Sequence, residues 1–257
     1  MTLIPLAAFH DNYIWIIEDK DSSGIWAVDP GDAKVVLNFC QSQQKNLEGI
    51  LITHHHKDHT GGVQKLKQTF DCQVIGPKHL SHLITRGVEQ DDIIEIYGRQ
   101  YLTLETPAHT LDHICYFSNA ETPVLLSGDT LFKGGCGRLM EGTPEQMLNA
   151  MDKLKQLPDH TLVYCTHEYT LANYRFALSL EPENETLIAE NQDCQVLREK
   201  QTITLPSSIA LEKATNPFMR SHLHPIVTRA AQQLNETPAT ASIEAFAQVR
   251  RAKDTFS

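Results

Sequence analysis

Thr53-His54-His55-His56-Lys57-Asp58-His59-Thr60-Gly61-Gly62 is the stretch on which the reading of this chain turns. Gly49–Thr53, just before the histidines, is a short apolar run of the kind that forms a buried strand. In an extended stretch alternate side chains point to one side. His54, His56 and Asp58 are therefore expected to face one pocket, with His59 added by a turn. Imidazole and carboxylate are the donors that zinc, iron and manganese accept. The bland alternative is a solvated histidine cluster or a tag. The position inside the chain, directly after a buried strand, argues against it.

Working outward, the same placement recurs. His109 and His113 flank a turn that begins at Thr106-Pro107-Ala108. Asp129 follows the apolar run Val124–Ser127, and His167 follows Leu162–Cys165. Any one of these alone is more often a structural residue. Repeated at strand ends, where loops carry chemistry on a rigid scaffold, they point to one site.

The surrounding pattern is mixed α/β. Tyr13–Glu18 and Gly24–Asp29 read as a hairpin, Ala33–Gln44 and Val63–Phe70 as helices, and Ile93–Ile96, Tyr101–Glu105 and Ile114–Phe117 as further strands. Thr143, Pro144 and Gln146 make a helix start with a capping box. From Leu171 onward strand signals thin out. Helical stretches at Leu171–Leu180, Glu185–Lys200, Ile226–Leu234 and Ile243–Lys253 take over. Two domains are expected: a catalytic α/β domain over 1–170 and a smaller helical, substrate-binding domain over 171–257.

Composition narrows the function. Of 257 residues 41% are apolar and 21% charged, with a net charge of −10. That balance excludes an ordinary nucleic-acid binder, which carries a basic excess. No apolar run reaches the roughly 18–20 residues of a membrane span, and Met1–Ala8 reads as a strand, not a secretory signal. Six cysteines are scattered singly, which fits reduced thiols in a cytoplasm. An anionic substrate needs a local cationic site to overcome the global charge.

The H-x-H-x-D-H segment, the later histidine, Gly128-Asp129 and the final histidine resemble the metallo-β-lactamase superfamily, in the same order. Further segments resemble the glyoxalase II family within it: Asp11-Asn12-Tyr13, Gly128-Asp129-Thr130-Leu131-Phe132, Gly135-Cys136-Gly137-Arg138, Glu141-Gly142-Thr143, His167-Glu168-Tyr169-Thr170, Asn216-Pro217-Phe218-Met219-Arg220 and Arg250-Arg251-Ala252-Lys253-Asp254. The resemblance implies an αββα sandwich followed by a smaller α-helical C-terminal domain. It implies two divalent metal ions, zinc first, with iron or manganese as alternatives. One metal would take His54, His56 and His109, and the other Asp58, His59 and His167, with Asp129 bridging. Asp58 and Asp129 would be the catalytic carboxylates, acting with a hydroxide that the metals share. Arg138, Tyr169, Arg250 and Lys253 would bind the substrate. His55 and His113 fall at non-ligand positions.

The implied reaction is hydrolysis of S-(2-hydroxyacyl)glutathione thioesters, the second step of methylglyoxal detoxification, by a cytoplasmic monomer. A lactonase-like hydrolase of the same fold and a persulfide dioxygenase are the alternatives. The C-terminal cations argue against the first, the full second ligand set against the second. Met140 stands where some family members carry a substrate-contacting tyrosine, and Thr166 where a small residue is often found. Cys136 lacks a neighbouring base, so a turn or packing role is expected for it.

Overall fold

The computed structural model describes residues 1–256. The first half runs β1 (Thr2–Ala8), β2 (Asn12–Glu18), β3 (Gly24–Val28), α1 (Ala33–Gln43), β4 (Asn46–Leu51), α2 (Lys57–Thr60), α3 (Val63–Phe70), β5 (Gln73–Pro77) and β6 (Arg86–Val88). Then follow β7 (Ile93–Ile96), β8 (Arg99–Glu105), β9 (Ile114–Ser118), β10 (Val124–Gly128), the small pair β11 (Leu131–Phe132) and β12 (Gly135–Cys136), α4 (Pro144–Lys155) and β13 (Leu162–Cys165). The remainder is α5 (Thr170–Leu180), α6 (Glu185–Glu199), β14 (Ser207–Ser208), α7 (Ile209–Thr215), α8 (His224–Leu234) and α9 (Ser242–Thr255).

Two six-stranded sheets face each other, with orders β1-β2-β3-β4-β5-β6 and β14-β13-β10-β9-β8-β7. The period-2 alternation of β2 shows why. Tyr13, Trp15 and Ile17 point between the sheets, where they meet Tyr101, Tyr116, Val124 and Leu126 of the second sheet. Ile14 and Ile16 point outward and pack with Val36 and Cys40 of α1 and with Val63 and Leu66 of α3. The outer face of the second sheet, with Leu104, Phe117, Leu125 and Val163, is covered by Met147, Met151 and Leu154 of α4. The result is the expected αββα sandwich.

That last cluster does not stop at α4. Phe176 and Leu180 of α5, Phe218, Ile226 of α8, and Phe246 and Val249 of α9 belong to the same continuous core. The C-terminal helices thus bury their apolar faces on the helical layer of the sandwich.

Local signals explain the boundaries. The Thr143 side chain accepts from the Gln146 N–H while Gln146 reaches back to the Thr143 N–H, with Pro144 at the first helical position. Helix α8 starts at His224, two residues before the apolar periodicity begins, because Pro225 is preset for a first helical turn. Strands β6 and β14 carry no period to read. Arg86 and Gly87 are exposed, and β14 is two serines pairing antiparallel with Leu162 and Val163. Among the described residues, no helix is long and apolar enough to cross a membrane.

Candidate metal centre

The His/Asp residues gather at the carboxyl ends of the parallel strands. β3 leads to Asp29, β4 to His54, β10 to Asp129 and β13 to His167. Alternation holds for His54 and His56, and there it ends. Residues 57–60 form one helical turn, so Asp58 and His59 reach the site from α2 and not from an extended stretch.

The donor atoms of His54, His56 and His109 lie within 4.8 Å of one another, as do those of His54, His59 and Asp129 and those of Asp58, His59 and His167. All seven residues expected as ligands are therefore brought together. His54 and His59 are fully buried, and His109, Asp129 and His167 nearly so.

The hydrogen-bond network fixes which ring nitrogens carry lone pairs. Thr53 Oγ1 donates to Asp29 Oδ2 at 2.8 Å, so it accepts from His54 Nδ1 at 3.0 Å. His109 Nδ1 donates to the carbonyl of Arg138 at 2.8 Å. His167 Nδ1 lies 2.9 Å from Asp11 Oδ1, and His59 Nδ1 3.0 Å from Asp29 Oδ2. In each case Nε2 is left facing the centre. This is the arrangement of metal-bound imidazoles, whose far nitrogen is fixed by a carboxylate or carbonyl.

The inward nitrogens face one another and the carboxylates at separations that suit a shared cation. His54 Nε2 and His109 Nε2 each lie 3.1 Å from His56 Nδ1, which has at most one proton to give. His59 Nε2 lies 3.5 Å from both Asp58 Oδ2 and Asp129 Oδ1, and His167 Nε2 lies 3.5 Å from Asp58 Oδ2 and 3.3 Å from Asp129 Oδ2. His59 Nε2 and Asp129 Oδ1 are buried without a hydrogen-bond partner, and so is His59 Nδ1, which meets Asp29 only as an ion-pair contact. Ligands 2.0–2.1 Å from a tetrahedral ion are about 3.3–3.4 Å apart, close to these separations. The residues fit divalent cations.

The electrostatics agree. Its hydrogen bond with His167 holds the Asp58 carboxyl well below the usual carboxylate range, against its burial. Burial works against the charge on Asp129, yet the imidazoles of His59 and His167 outweigh it and keep the carboxyl ionised. Burial likewise disfavours charge on His167, but Asp129 and Asp58 pull it up to about 10. Carboxylates placed this way draw in positive charge, whether proton or metal.

Four residues near the centre escaped sequence reasoning. Asn12 Nδ2 donates to Asp58 Oδ2 at 3.1 Å. Asp11, Asp29 and Thr53 orient the histidines as described. Asp11 and Asn12 lie in a segment whose family likeness was legible although their contacts were not; Asp29 read only as a strand end. His113 is fully buried: its Nε2 accepts from the Asp129 N–H at 3.0 Å, and its ring stacks on His54. Gly128 makes this possible. It sits at φ +49°, and a Cβ there would meet Thr53 Oγ1 at 2.6 Å and His113 Nε2 at 2.8 Å.

The centre opens into a cavity of 460 Å³ lined by Arg138, Tyr169, Arg250 and Lys253, with Met140 at its edge. Tyr169 stacks on His167 with ring centroids 4.6 Å apart. Arg138 is exposed. Arg250 is buried and already engaged, with Asp254 at 2.9 Å, the Cys136 carbonyl at 3.2 Å and the Phe218 ring beneath it at 4.7 Å. Burial raises the Cys136 thiol to about 11, which removes it as a nucleophile. A larger cleft of 640 Å³ lies between Glu181, Arg220 and Arg229, away from the centre. Its bidentate Arg220–Glu181 pair leaves it without a comparable reactive cluster.

Residues 28–167 match the metallo-beta-lactamase superfamily, and residues 168–256 match the hydroxyacylglutathione hydrolase C-terminus. The chain is 65% identical over all its length to a hydroxyacylglutathione hydrolase of Marinomonas sp. (strain MWYL1), which it also covers completely. The chain belongs to the hydroxyacylglutathione hydrolase family. The hydroxyacylglutathione hydrolase of Pseudomonas aeruginosa is 46% identical, with 98% of each chain covered. Among solved structures, ETHE1 from Myxococcus xanthus shares the fold with a TM-score of 0.68 at 24% identity, covering 98% of this chain and 99% of that one. TTHA1623, solved in a di-iron-bound form, gives a TM-score of 0.59 at 21% identity, covering 85% and 100%. For a member of the hydroxyacylglutathione hydrolase family, a His/Asp centre beside a cationic cavity is a chemically coherent pairing.

Proposed function

We propose that this enzyme hydrolyses S-(2-hydroxyacyl)glutathione thioesters, converting S-D-lactoylglutathione to glutathione and D-lactate. The observation that carries the reading is the direct opening of the His/Asp centre into a cavity bearing Arg138, Lys253 and Tyr169. His54, His56 and His109 would hold one divalent ion and Asp58, His59 and His167 the other, with Asp129 placed to serve both. Zinc suits this donor set, as do iron and manganese. When bound, such ions generate a nucleophile from water near neutral pH and polarise a carbonyl.

The chain's own residues do the rest. Asp58, steadied by Asn12, stays anionic and orients a water proton by accepting it in a hydrogen bond. Arg138 offers a planar guanidinium to a glutathione carboxylate. Lys253 adds a second charge from α9, and the half-exposed Tyr169 faces the same space. The leaving thiol has a free pKa of roughly 8.5, so it departs as thiolate without a dedicated acid. We assign the α/β part over 1–170 to chemistry and the helical part over 171–257 to substrate binding, in a cytoplasmic monomer.

Lys253 gives a pH signature. Burial, and then Arg250, Arg175 and Arg138, push its ammonium down to about 8. Its positive charge is present below that value and lost as pH rises through it. KM for S-D-lactoylglutathione is therefore expected to rise several-fold between pH 7 and 9. Lys253→Met should flatten that rise; an unchanged pH profile in the variant would remove Lys253 from the binding site.

The reaction itself is tested by following thioester loss from S-D-lactoylglutathione with metal-replete protein. Turnover that a chelator abolishes and zinc restores is the expected result. Absence of turnover with two metals bound would sink the thioester assignment while leaving the centre intact.

A further inference from the structure

Asn216-Pro217-Phe218 has no part in the reaction described above, yet Asn216 is fully buried, as is Glu212 one turn earlier on α7. Both side chains reach the wall of the substrate cavity from behind. That wall is the β11–β12 hairpin and the residues after it: Phe132, Cys136, Gly137 and Arg138 all line the cavity. Two paired strands of two residues each are too short to hold a shape alone. Gly134 turns between them at φ +70°.

What holds the hairpin comes from the C-terminal helices. Asn173 Nδ2 of α5 donates to the Lys133 carbonyl at 3.1 Å, and Arg250 of α9 donates to the Cys136 carbonyl at 3.2 Å. The tip is held by α7. Glu212 Oε2 accepts from the Gly134 N–H at 2.9 Å and from Asn216 Nδ2 at 2.8 Å. Asn216 Nδ2 also donates to the Gly135 carbonyl at 2.9 Å, and the Ser207 hydroxyl donates to Glu212 Oε1. Burial pushes the Glu212 carboxyl up to about 7. A buried acid is costly to keep, and here three donors converge on it. An apolar residue in its place would leave the Gly134 N–H buried and unpaired.

The metal-ligand side chains do not depend on this clasp. The loop of His109 is tied by its own backbone bonds, from the Met140 N–H to the His109 carbonyl at 3.2 Å and from the Gly142 N–H to the Ala108 carbonyl at 2.9 Å. The Asp129 N–H is held by His113. Phe132, by contrast, belongs to the hairpin, and its ring packs edge-on against Tyr169 with centroids 5.4 Å apart.

We propose that Glu212, acting with Asn216, is the positioning residue for this wall. It sets Phe132, and through it Tyr169, together with the approach to Arg138, for the glutathione moiety, and it touches neither substrate nor metal. The inference rests on the thioester reading only for the identity of that substrate.

The test is steady-state kinetics of the metal-replete full chain with S-D-lactoylglutathione. Glu212→Ala is expected to raise KM about tenfold, the scale of one lost hydrogen bond to a charged group, with kcat and metal per chain within about twofold of wild type. Glu212→Gln should restore KM to within about twofold, because its amide oxygen still accepts from Gly134 and Asn216 while the Ser207 hydroxyl rotates to accept from its NH2. Should Glu212→Ala not fold, Glu212→Asp takes its place: it keeps the charge, falls a methylene short of the Gly134 N–H, and should show the same rise. Unchanged KM, a rise that Glu212→Gln does not reverse, or a kcat that falls together with metal content would overturn the proposal. Amide exchange, followed by mass spectrometry on the same proteins, separates this proposal from the thioester reading. Exchange over residues 131–138 should quicken in the Ala or Asp variant and not in Glu212→Gln, whatever the substrate. Absence of turnover by wild type would sink the thioester reading, whereas equal exchange in that segment would sink the clasp.

Discussion

Asp129→Ala is expected to lower kcat/KM for S-D-lactoylglutathione by at least about 10³-fold, beyond the 10- to 100-fold typical of residues that only support metal ligands. The Asp129 carboxylate is the side chain that spans the centre. Oδ1 lies 3.5 Å from His59 Nε2, and Oδ2 lies 3.3 Å from His167 Nε2 and 3.5 Å from His109 Nε2. Its backbone is fixed from behind by His113 and its entry by the positive φ of Gly128. Alanine leaves that scaffold in place and removes the anion that faces both halves. Metal content, measured in the same preparation, should fall below two per chain. A variant that keeps two metals and a near-normal rate would show that the two halves do not depend on a shared carboxylate.

Phe218→Ala has the largest expected effect on stability, about 3–5 kcal/mol. Phe218 is fully buried between Phe176 and Phe246, with ring centroids 6.3 and 5.6 Å away. For a chain of this size that corresponds to a fall in Tm of roughly 10 °C. Since Phe218, Phe246 and Val249 share one apolar cluster with Met147, Leu125 and Val163, unfolding should remain a single transition that shifts as a whole. Two transitions, with only one displaced, would mean that the helices fold independently of the sandwich. The Phe218 ring also lies under Arg250, so KM should rise in the folded variant.

The sequence was most informative where one residue type had one physical use. Strand ends carrying His and Asp announced the centre, because few other arrangements place so many ligand side chains after buried strands. The capping box at Thr143 and the apolar stripe of α4 were legible for the same reason. Legibility failed where side chains act through partners far along the chain. Nothing local in Asp29-Pro30-Gly31 says that Asp29 supports both Thr53 and His59. Nothing near His113 says that it receives the Asp129 N–H. Arg250 illustrates the remaining difficulty: its position was evident as a cation near the C-terminus, but its engagement with Cys136 and Asp254 depends on tertiary packing. β6 and β14 are too short for any period to emerge.

All six cysteines are buried. Burial raises every one of their thiols, Cys40, Cys115 and Cys136 to about 11. At neutral pH a thiol of that kind is ionised in only about one molecule in 10⁴, and thiolates are what exchange with disulfides. The proposed reaction releases a thiol into the cavity that Cys136 lines. An enzyme whose cysteines stay protonated and buried resists exchange with the disulfide form of its own product. Its catalytic competence is thereby uncoupled from the oxidation state of the thiol pool it feeds.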